Sequence, residues 1–214
     1  MRLGSVVCRY ILEMALKNKY SFTENGIAKE LSLSPNTVSV AVRNLANVGA
    51  AAIYKRHFEL KNFDKALYYF SVNRKLREDI IYSTYFKSSV GEIEKSMPSE
   101  IAYTACSGYV NLFGNDASDY SEVYVYATER SCREIMDRFP KNRLSKASDY
   151  ANIIVLKPDR ILGSLISESA FDGSAAPVTQ IYADLWNMKE WYAHEFEKKL
   201  KSRIDGMHGK KILQ

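Results

Sequence analysis

Cysteine is scarce in this sequence: three residues among 214, Cys8, Cys106 and Cys132, lie far apart. None belongs to a Cys-x-x-Cys pair, and an odd number of thiols cannot all pair within one chain. This usage argues against a disulfide framework and a structural zinc site, and it favours a reducing cytoplasm. Because Cys106 and Cys132 flank apolar residues, we expect them to pack in the core rather than act as nucleophiles.

The sequence also contains no long apolar run. No stretch approaches the roughly 18 apolar residues that a membrane-spanning helix needs. Near the N-terminus, Arg9, Glu13 and Lys17 interrupt the apolar positions, a pattern typical of an amphipathic helix and not of a secretory signal. We therefore expect a cytoplasmic protein that does not associate with membranes.

Common catalytic motifs are missing. The chain has neither a Walker motif nor a Gly-x-Gly-x-x-Gly sequence. His194-Glu195 begins like the zinc-binding motif His-Glu-x-x-His, but Lys198 occupies the position of the second histidine. These absences favour a protein that is not an enzyme and that needs neither a cofactor nor a metal ion.

Residues 107–126 partly resemble a nucleotidyltransferase site. Such enzymes place a Gly-Ser turn about ten residues before a strand that bears Asp-x-Asp, because two metal ions need paired carboxylates. Here Ser107-Gly108 is reversed, and Glu122 is followed two residues later by Tyr124. An inactive relative of that fold is one alternative. The carboxylates and tyrosines of this segment could instead line a ligand pocket, form a protein-docking surface or belong to a solvated loop.

Positive charge is concentrated at one end of the chain. The net charge is +5, and residues 1–61 contain nine Lys or Arg against four Asp or Glu. Residues 62–214 contain 21 of each, so the whole excess lies in the first 61 residues. Phosphate binding requires local positive potential, and we therefore expect a nucleic-acid partner at this end, with chance as the alternative explanation.

Apolar periodicity and capping residues predict three helices near the N-terminus, over residues 5–18, 24–31 and 35–48. Ser34 and Pro35 suit the N-cap and the first position of the third helix, which Gly49 ends. A turn of three residues joins the second and third helices, as in a helix-turn-helix unit. Ser32 stands in this turn where glycine is common, so the turn must avoid positive φ or bear a conformational cost.

The third helix has one apolar and one polar face. When Val38, Val42 and Leu45 face inward, the opposite face presents Asn36, Ser39, Val40, Arg43 and Asn47. In a DNA major groove, Arg43 could pair with guanine, Asn36 with adenine, and Val40 could touch a thymine methyl group. Ser34, Thr37 and the helix N-terminus could bind phosphates.

The pattern of residues 50–61 predicts two short strands. They form a basic hairpin over 53–61, with Lys55, Arg56 and His57 near its turn. Lys55 and Arg56 would reach the flanking DNA backbone or minor groove. The predicted DNA-contacting residues are thus Ser34, Asn36, Thr37, Ser39, Val40, Arg43, Asn47, Lys55 and Arg56.

The rest of the chain alternates between strand and helix signals. We predict strands over 80–86, 122–127 and 152–158, and helices over 90–98, 101–114 and 131–139. Apolar residues at steps of three or four from Ile181 to Ile204 predict a long terminal helix. The expected fold class is α+β (α/β). Its parts are a winged helix-turn-helix domain over 1–61, a connector helix over 62–78 and an α/β effector or protein-interaction domain over 79–214.

Two segments resemble known families. TENGIAKELSLSPNTVSVAVRNLANVGAA (23–51) resembles the winged helix-turn-helix of microbial transcriptional regulators. APVTQIYADLWNM (176–188), preceded by the strands SEVYVYA and NIIVLKPD, is similar to the AbiEi family, the antitoxin and autorepressor half of type IV toxin–antitoxin systems. This resemblance implies operator binding by the N-terminal domain and antagonism of a cognate nucleotidyltransferase toxin by the C-terminal one.

The leading hypothesis is a sequence-specific transcriptional regulator, a repressor, that binds double-stranded DNA. Because helix-turn-helix proteins usually read paired half-sites, we expect a homodimer, to which Trp186, Trp191 and Tyr192 could contribute surface. The alternatives are an antitoxin-type module that neutralises a toxin protein and a degenerate nucleotidyltransferase-like enzyme.

Overall fold

The computed structural model describes residues 3–141, 151–167 and 175–209 of the chain. The protein is a mixed α+β structure with two small sheets. The N-terminal elements are α1 (Leu3–Leu16), β1 (Ser21–Phe22), α2 (Glu24–Glu30), α3 (Pro35–Asn47), β2 (Ala51–Ile53), β3 (Phe58–Leu60) and α4 (Phe63–Asn73). A 3-10 turn (Leu76–Asp79) leads to β4 (Ile80–Thr84), α5 (Val90–Lys95), β5 (Ile101–Thr104), α6 (Ala105–Phe113), β6 (Val123–Ala127), α7 (Glu129–Arg138), β7 (Ile153–Leu156), α8 (Arg160–Ser167), α9 (Val178–Trp186) and α10 (Ala193–Gly209).

The first sheet is formed by the three short N-terminal strands in the order β1-β3-β2, with both pairs antiparallel. The three predicted N-terminal helices and the two strands after them are present, with ends within about two residues of the prediction. Strand β1 was not predicted, because two residues are too few to show an alternating pattern. It is held by pairing with β3 and by the Leu60 N–H, which donates to the Tyr20 carbonyl (2.9 Å).

Helices α1, α2 and α3 all end in a Schellman motif, in which one residue after the helix adopts a left-handed conformation. These residues are Asn18 (φ 65°), Ser32 (φ 51°) and Gly49 (φ 70°). At the end of α2, the Leu33 N–H donates to the Ala28 carbonyl at 2.9 Å and the Ser32 N–H donates to the Lys29 carbonyl at 3.3 Å. The turn between α2 and α3 therefore has a positive φ at serine and bears the conformational cost that glycine would avoid.

The second sheet has four strands in the order β4-β7-β6-β5. The central pair β6–β7 is parallel, while β4 and β5 are antiparallel to their neighbours. Its predicted strands β4, β6 and β7 are confirmed, and so are the predicted helices at α5 and α7. The helix expected over 101–114 is wrong in its first four residues, because Ile101–Thr104 pair with Ala127–Tyr124 and form β5. Tertiary pairing here overrides the local helical pattern.

The long terminal helix expected from Ile181 to Ile204 is also wrong, since the chain turns between α9 and α10. At this turn the Asn187 side-chain amide donates to the carbonyls of Ala183 (2.8 Å) and Ser71 (2.9 Å). Both helices contribute apolar residues to one core, so helical spacing continues across the break. The connector predicted as one helix over 62–78 is α4 followed by the 3-10 turn, because Arg74 adopts an extended conformation.

One apolar core includes residues from α1–α4, one face of the second sheet and helices α6, α9 and α10. A second apolar cluster covers the other face of this sheet, where α5 and α7 pack. The predicted domain boundaries at residues 61 and 78 stay a prediction. Within the described ranges, no helix combines the length and the apolar character needed to cross a bilayer.

A buried polar network lies inside the larger core. Asp184 is fully buried and accepts hydrogen bonds from Arg74 Nε (2.7 Å), Thr104 Oγ1 (2.7 Å), Tyr126 OH (2.7 Å) and Gln180 Nε2 (3.0 Å). Arg74 also donates to Asp79 and to Tyr126 OH. These bonds connect the end of α4 to β5, β6 and α9, so a single carboxylate links four elements.

The network continues to the N-terminal helix through Arg9. Arg9 is 4% exposed, and its guanidinium donates to both carboxylate oxygens of Asp159 (2.7 and 2.9 Å) and to Gln180 Oε1 (3.0 Å). Burial opposes ionisation of Asp159, but the Arg9 charge and the N–H groups of Leu162 and Ile161 hold its pKa below its ordinary value. Asp159 therefore stabilises the start of α8 and compensates a buried cation on α1.

Replacing Ser32 with glycine should stabilise the protein. Glycine removes the steric cost of the left-handed conformation, and we expect Ser32→Gly to raise the free energy of unfolding by roughly 0.5–1 kcal/mol. Ser39→Gly, inside α3, is the matched control and should lower it by roughly 0.5 kcal/mol. Urea unfolding followed by circular dichroism measures both values. A loss of stability in Ser32→Gly would contradict the interpretation of this turn.

Breaking the Arg9–Asp159 pair should be costly, because a buried carboxylate then lacks its cation. We expect Arg9→Met to lower the free energy of unfolding by about 3–5 kcal/mol. The double variant Arg9→Met/Asp159→Asn removes both charges and should be at least about 1 kcal/mol more stable than Arg9→Met. Denaturant unfolding of the three proteins tests this order, and equal stability of the single and double variants would contradict it.

Candidate nucleic-acid interface

Helix α3 is held by its apolar face. Val38, Val42 and Leu45 have no exposed surface, and the helix packs against α1 and α2. Because residues three and four positions apart share a helix face, this packing directs the opposite face to solvent. The orientation assumed for α3 from its sequence is therefore the one that the structure has.

The start of α3 is capped as expected. The Ser34 hydroxyl accepts a hydrogen bond from the Thr37 N–H (3.1 Å), and Pro35 occupies the first turn. The hydroxyls of Ser34 and Thr37 also contact each other at 2.8 Å. Only one of these two O–H donors is used in that contact, so the other stays free for a phosphate. Ser34 and Thr37, both predicted to bind phosphates, thus lie side by side. In the free protein they cap the helix.

The other predicted residues of α3 form one solvent-facing stripe. Asn36, Arg43 and Asn47 are exposed, Val40 is 45% exposed, and Ser39 is half-buried. Within the described part of the chain, none of these side chains has a hydrogen bond or ion pair that would occupy it. Asn44, which the sequence analysis missed, is exposed as well. It lies four positions after Val40, and this spacing alone could have identified it.

The β2–β3 hairpin places Lys55 and Arg56 at its tip. The Tyr54 N–H donates to the His57 carbonyl (2.8 Å), and the two rings stack with their centroids 4.8 Å apart. Both tip residues are exposed, and the described residues include no carboxylate paired with them. A stiffened turn therefore presents two free cations to solvent.

The third basic side chain of the hairpin is not free. Lys61 forms a hydrogen bond and ion pair with Glu59, and its ammonium lies 5.7 Å from the centre of the Tyr54 ring. The hydrogen bond from Lys61 lowers the pKa of Glu59. His57 Nε2 lies 3.4 Å from the same carboxylate. The positive charge of the hairpin thus comes from Lys55 and Arg56.

Two carboxylates of the nucleotidyltransferase-like segment, Asp116 and Glu122, lie in different surroundings. Asp116 accepts hydrogen bonds from Tyr109 OH (2.6 Å) and Arg203 Nη2 (2.9 Å). The Tyr109 bond is the main cause that lowers the pKa of Asp116, together with the charges of Lys199 and Arg203. Glu122 belongs to a different place, a cleft that opens beside β6. The two carboxylates therefore do not form a pair.

The cysteines and terminal aromatics occupy distinct environments. All three cysteines are buried, and burial raises their pKa values, that of Cys8 to about 12. Trp186 and Trp191 are 39% and 77% exposed, whereas Tyr192 is only 7% exposed. Tyr192 is thus unable to contribute the dimer surface expected of it.

The segment 176–188 contains the polar residues that sequence reasoning did not assign. Gln180 and Asp184 lie at the centre of the buried network, and Tyr182 OH donates to Glu197 Oε1 (3.0 Å). Two polar side chains four positions apart on an otherwise apolar helix are a signal for a buried hydrogen-bonded pair. Their direct role is structural, since both are fully buried.

Comparisons of this chain with models of known protein families, with curated proteins and with solved structures found no significant match. The resemblance to winged-helix regulators and to the AbiEi family therefore remains an inference from the residues of this chain.

Proposed function

We propose that this protein is a sequence-specific DNA-binding transcriptional regulator, a repressor, with an N-terminal winged helix-turn-helix. The observation that carries the proposal is the solvent-facing stripe of α3, on a helix whose other face is completely buried. The order α1-β1-α2-α3-β2-β3 and the antiparallel pairing of the three strands support the winged-helix assignment. In this assignment α3 is the recognition helix and the β2–β3 hairpin is the wing.

The side chains on α3 suit the reading of bases. Arg43 can donate two hydrogen bonds to guanine, and Asn36 can form a bidentate pair with adenine. Val40 offers an apolar surface to a thymine methyl group, while Ser39, Asn44 and Asn47 can bond to base edges or to the backbone. A helix that only bound phosphates would gain more from lysines than from asparagines.

The wing supplies positive charge for contacts that do not depend on the base sequence of the DNA. Lys55 and Arg56 have no carboxylate partner in the described part of the chain and can therefore bind phosphates. Each phosphate neutralised releases condensed counterions, so the affinity should fall steeply with salt. The excess of five positive charges in residues 1–61 acts in the same direction.

A second candidate function is docking of a partner protein, as in an antitoxin. The observation that favours it is a patch of apolar side chains on α4 and α9: Tyr68 is 40%, Val72 66% and Trp186 39% exposed. The rings of Tyr68 and Trp186 are in contact, with centroids 5.7 Å apart. Such a patch fits a second copy of the chain in a homodimer or a cognate toxin. Light scattering of purified Trp186→Ala and wild type distinguishes self-association from a monomer.

Arg43→Ala should reduce sequence preference, and Lys55→Ala/Arg56→Ala should weaken binding to all DNA alike. We expect Arg43→Ala to lose about 1–3 kcal/mol of discrimination at one base pair. The wing variant should lower the salt slope of log K by about two, one for each phosphate contact. Selection from a random DNA library followed by fluorescence anisotropy at several salt concentrations gives both quantities.

The matched control is Arg133→Ala, an exposed arginine on α7 that should bind DNA like wild type. If wild type binds no fragment at low salt, including the DNA upstream of its own gene, the proposed function is wrong. If Arg133→Ala weakens binding as much as Arg43→Ala does, α3 is not the recognition element.

A further inference from the structure

A cleft of about 300 Å³ opens beside the second sheet, far in sequence from α3. Strands β4, β6 and β7 contribute to its walls, together with the 3-10 turn after α4 and the turn between α9 and α10. Ile80, Ile154 and Met188 provide apolar surface, and Tyr124 provides an aromatic ring. Its volume is at the lower end of the range for small-molecule sites.

Two carboxylates line this cleft, Glu122 and Glu190. Glu122 Oε2 is buried and has no hydrogen-bond partner among the described residues. Burial raises the pKa of Glu122, and the negative charge of Glu190 raises it further. Glu190 Oε2 accepts a hydrogen bond from the Lys189 N–H (3.0 Å). This backbone donor is uncharged and does not compensate the negative charge of Glu190. In its ionised form, a carboxylate with one oxygen buried without a donor, next to a second carboxylate, is unfavourable unless a cation compensates it.

Among the residues that the structure describes, no cation pairs with either carboxylate. Arg77 and Lys189 also line the cleft, but neither forms an ion pair with Glu122 or Glu190 in the described ranges. A ligand that brings its own positive charge would therefore gain two charge-assisted contacts that the free protein lacks.

We propose that this cleft is a binding site for a small organic cation, a primary amine with an apolar body. The ammonium group donates to Glu122 and Glu190, and the body lies against Tyr124, Met188 and Ile154. The ring of Tyr124 adds a cation–π attraction. Arg77 and Lys189 can accept a negative group at the other end of the ligand.

The composition of the cleft favours an amine over other ligands. A divalent metal ion prefers six or more oxygen ligands, and the described residues contain no group of three or more acidic, histidine or cysteine side chains suited to it. An anion would be repelled by the two carboxylates. An uncharged ligand would leave Glu122 Oε2 without a compensating charge. The inference goes beyond DNA binding and does not depend on it.

Binding of two amines and their uncharged analogues tests the proposal. Tyramine is compared with 4-ethylphenol, and cadaverine with 1,5-pentanediol, by isothermal titration calorimetry on the full chain at constant pH and chloride. At least one amine should bind, and its analogue should bind at least about tenfold more weakly, because one charge-assisted contact is worth about that factor.

Substitutions of the two cleft carboxylates test whether the amine binds in this cleft. Glu122→Gln and Glu190→Gln should each weaken amine binding by about tenfold, whereas Glu129→Gln, an exposed carboxylate on α7, should leave it unchanged. Glu190 lies in a partly exposed turn, so Glu190→Gln stays informative if Glu122→Gln fails to fold. The proposal is overturned if neither amine binds wild type, if amines and analogues bind equally, or if Glu190→Gln binds the amine like wild type.

Discussion

The structure depends on one buried charge, the carboxylate of Asp184. A fully buried carboxylate is tolerated only when donors surround it, and here Arg74, Thr104, Tyr126 and Gln180 all donate to it. Each donor comes from a different part of the chain or, for Gln180, from the preceding turn of the same helix. Compensation of Asp184 therefore connects the end of α4, the junction of β5 with α6, strand β6 and helix α9.

The same network also reaches α1, the helix that packs against α3. Gln180 bonds to both Asp184 and Arg9, so the polar contacts run from the second sheet to α1. Helix α1 packs against α3 as well as against α9. The solvent-facing stripe of α3 is thus backed by a helix whose position is fixed by apolar packing on one side and a buried ion pair on another. If α3 binds DNA as proposed, a rigid support of this kind lowers the entropy cost of ordering the helix in the complex.

Local signals in the sequence were enough to predict the three N-terminal helices, the β2–β3 hairpin and the exposed face of α3. Ser34-Pro35 and Gly49 mark the ends of that helix, and the spacing of Val38, Val42 and Leu45 determines which face is buried. Features that depend on distant partners were not predictable. Strand β5 exists because β6 lies beside it, and the chain turns at Asn187 although no glycine or proline marks the place. The buried network was missed because its members come together only in three dimensions.

The buried network and the cleft share structural elements. These elements connect the second half of the chain to the N-terminal helices. Arg74 belongs to the network, and Arg77, three residues later, lines the cleft. Asn187 also lines the cleft and bonds to the carbonyl of Ser71 at the end of α4. A ligand in the cleft would change DNA affinity only if its contacts differ between two arrangements of these elements. Because α4 packs against α1, a shift at Arg77 or Asn187 is the change that could alter the support of α3.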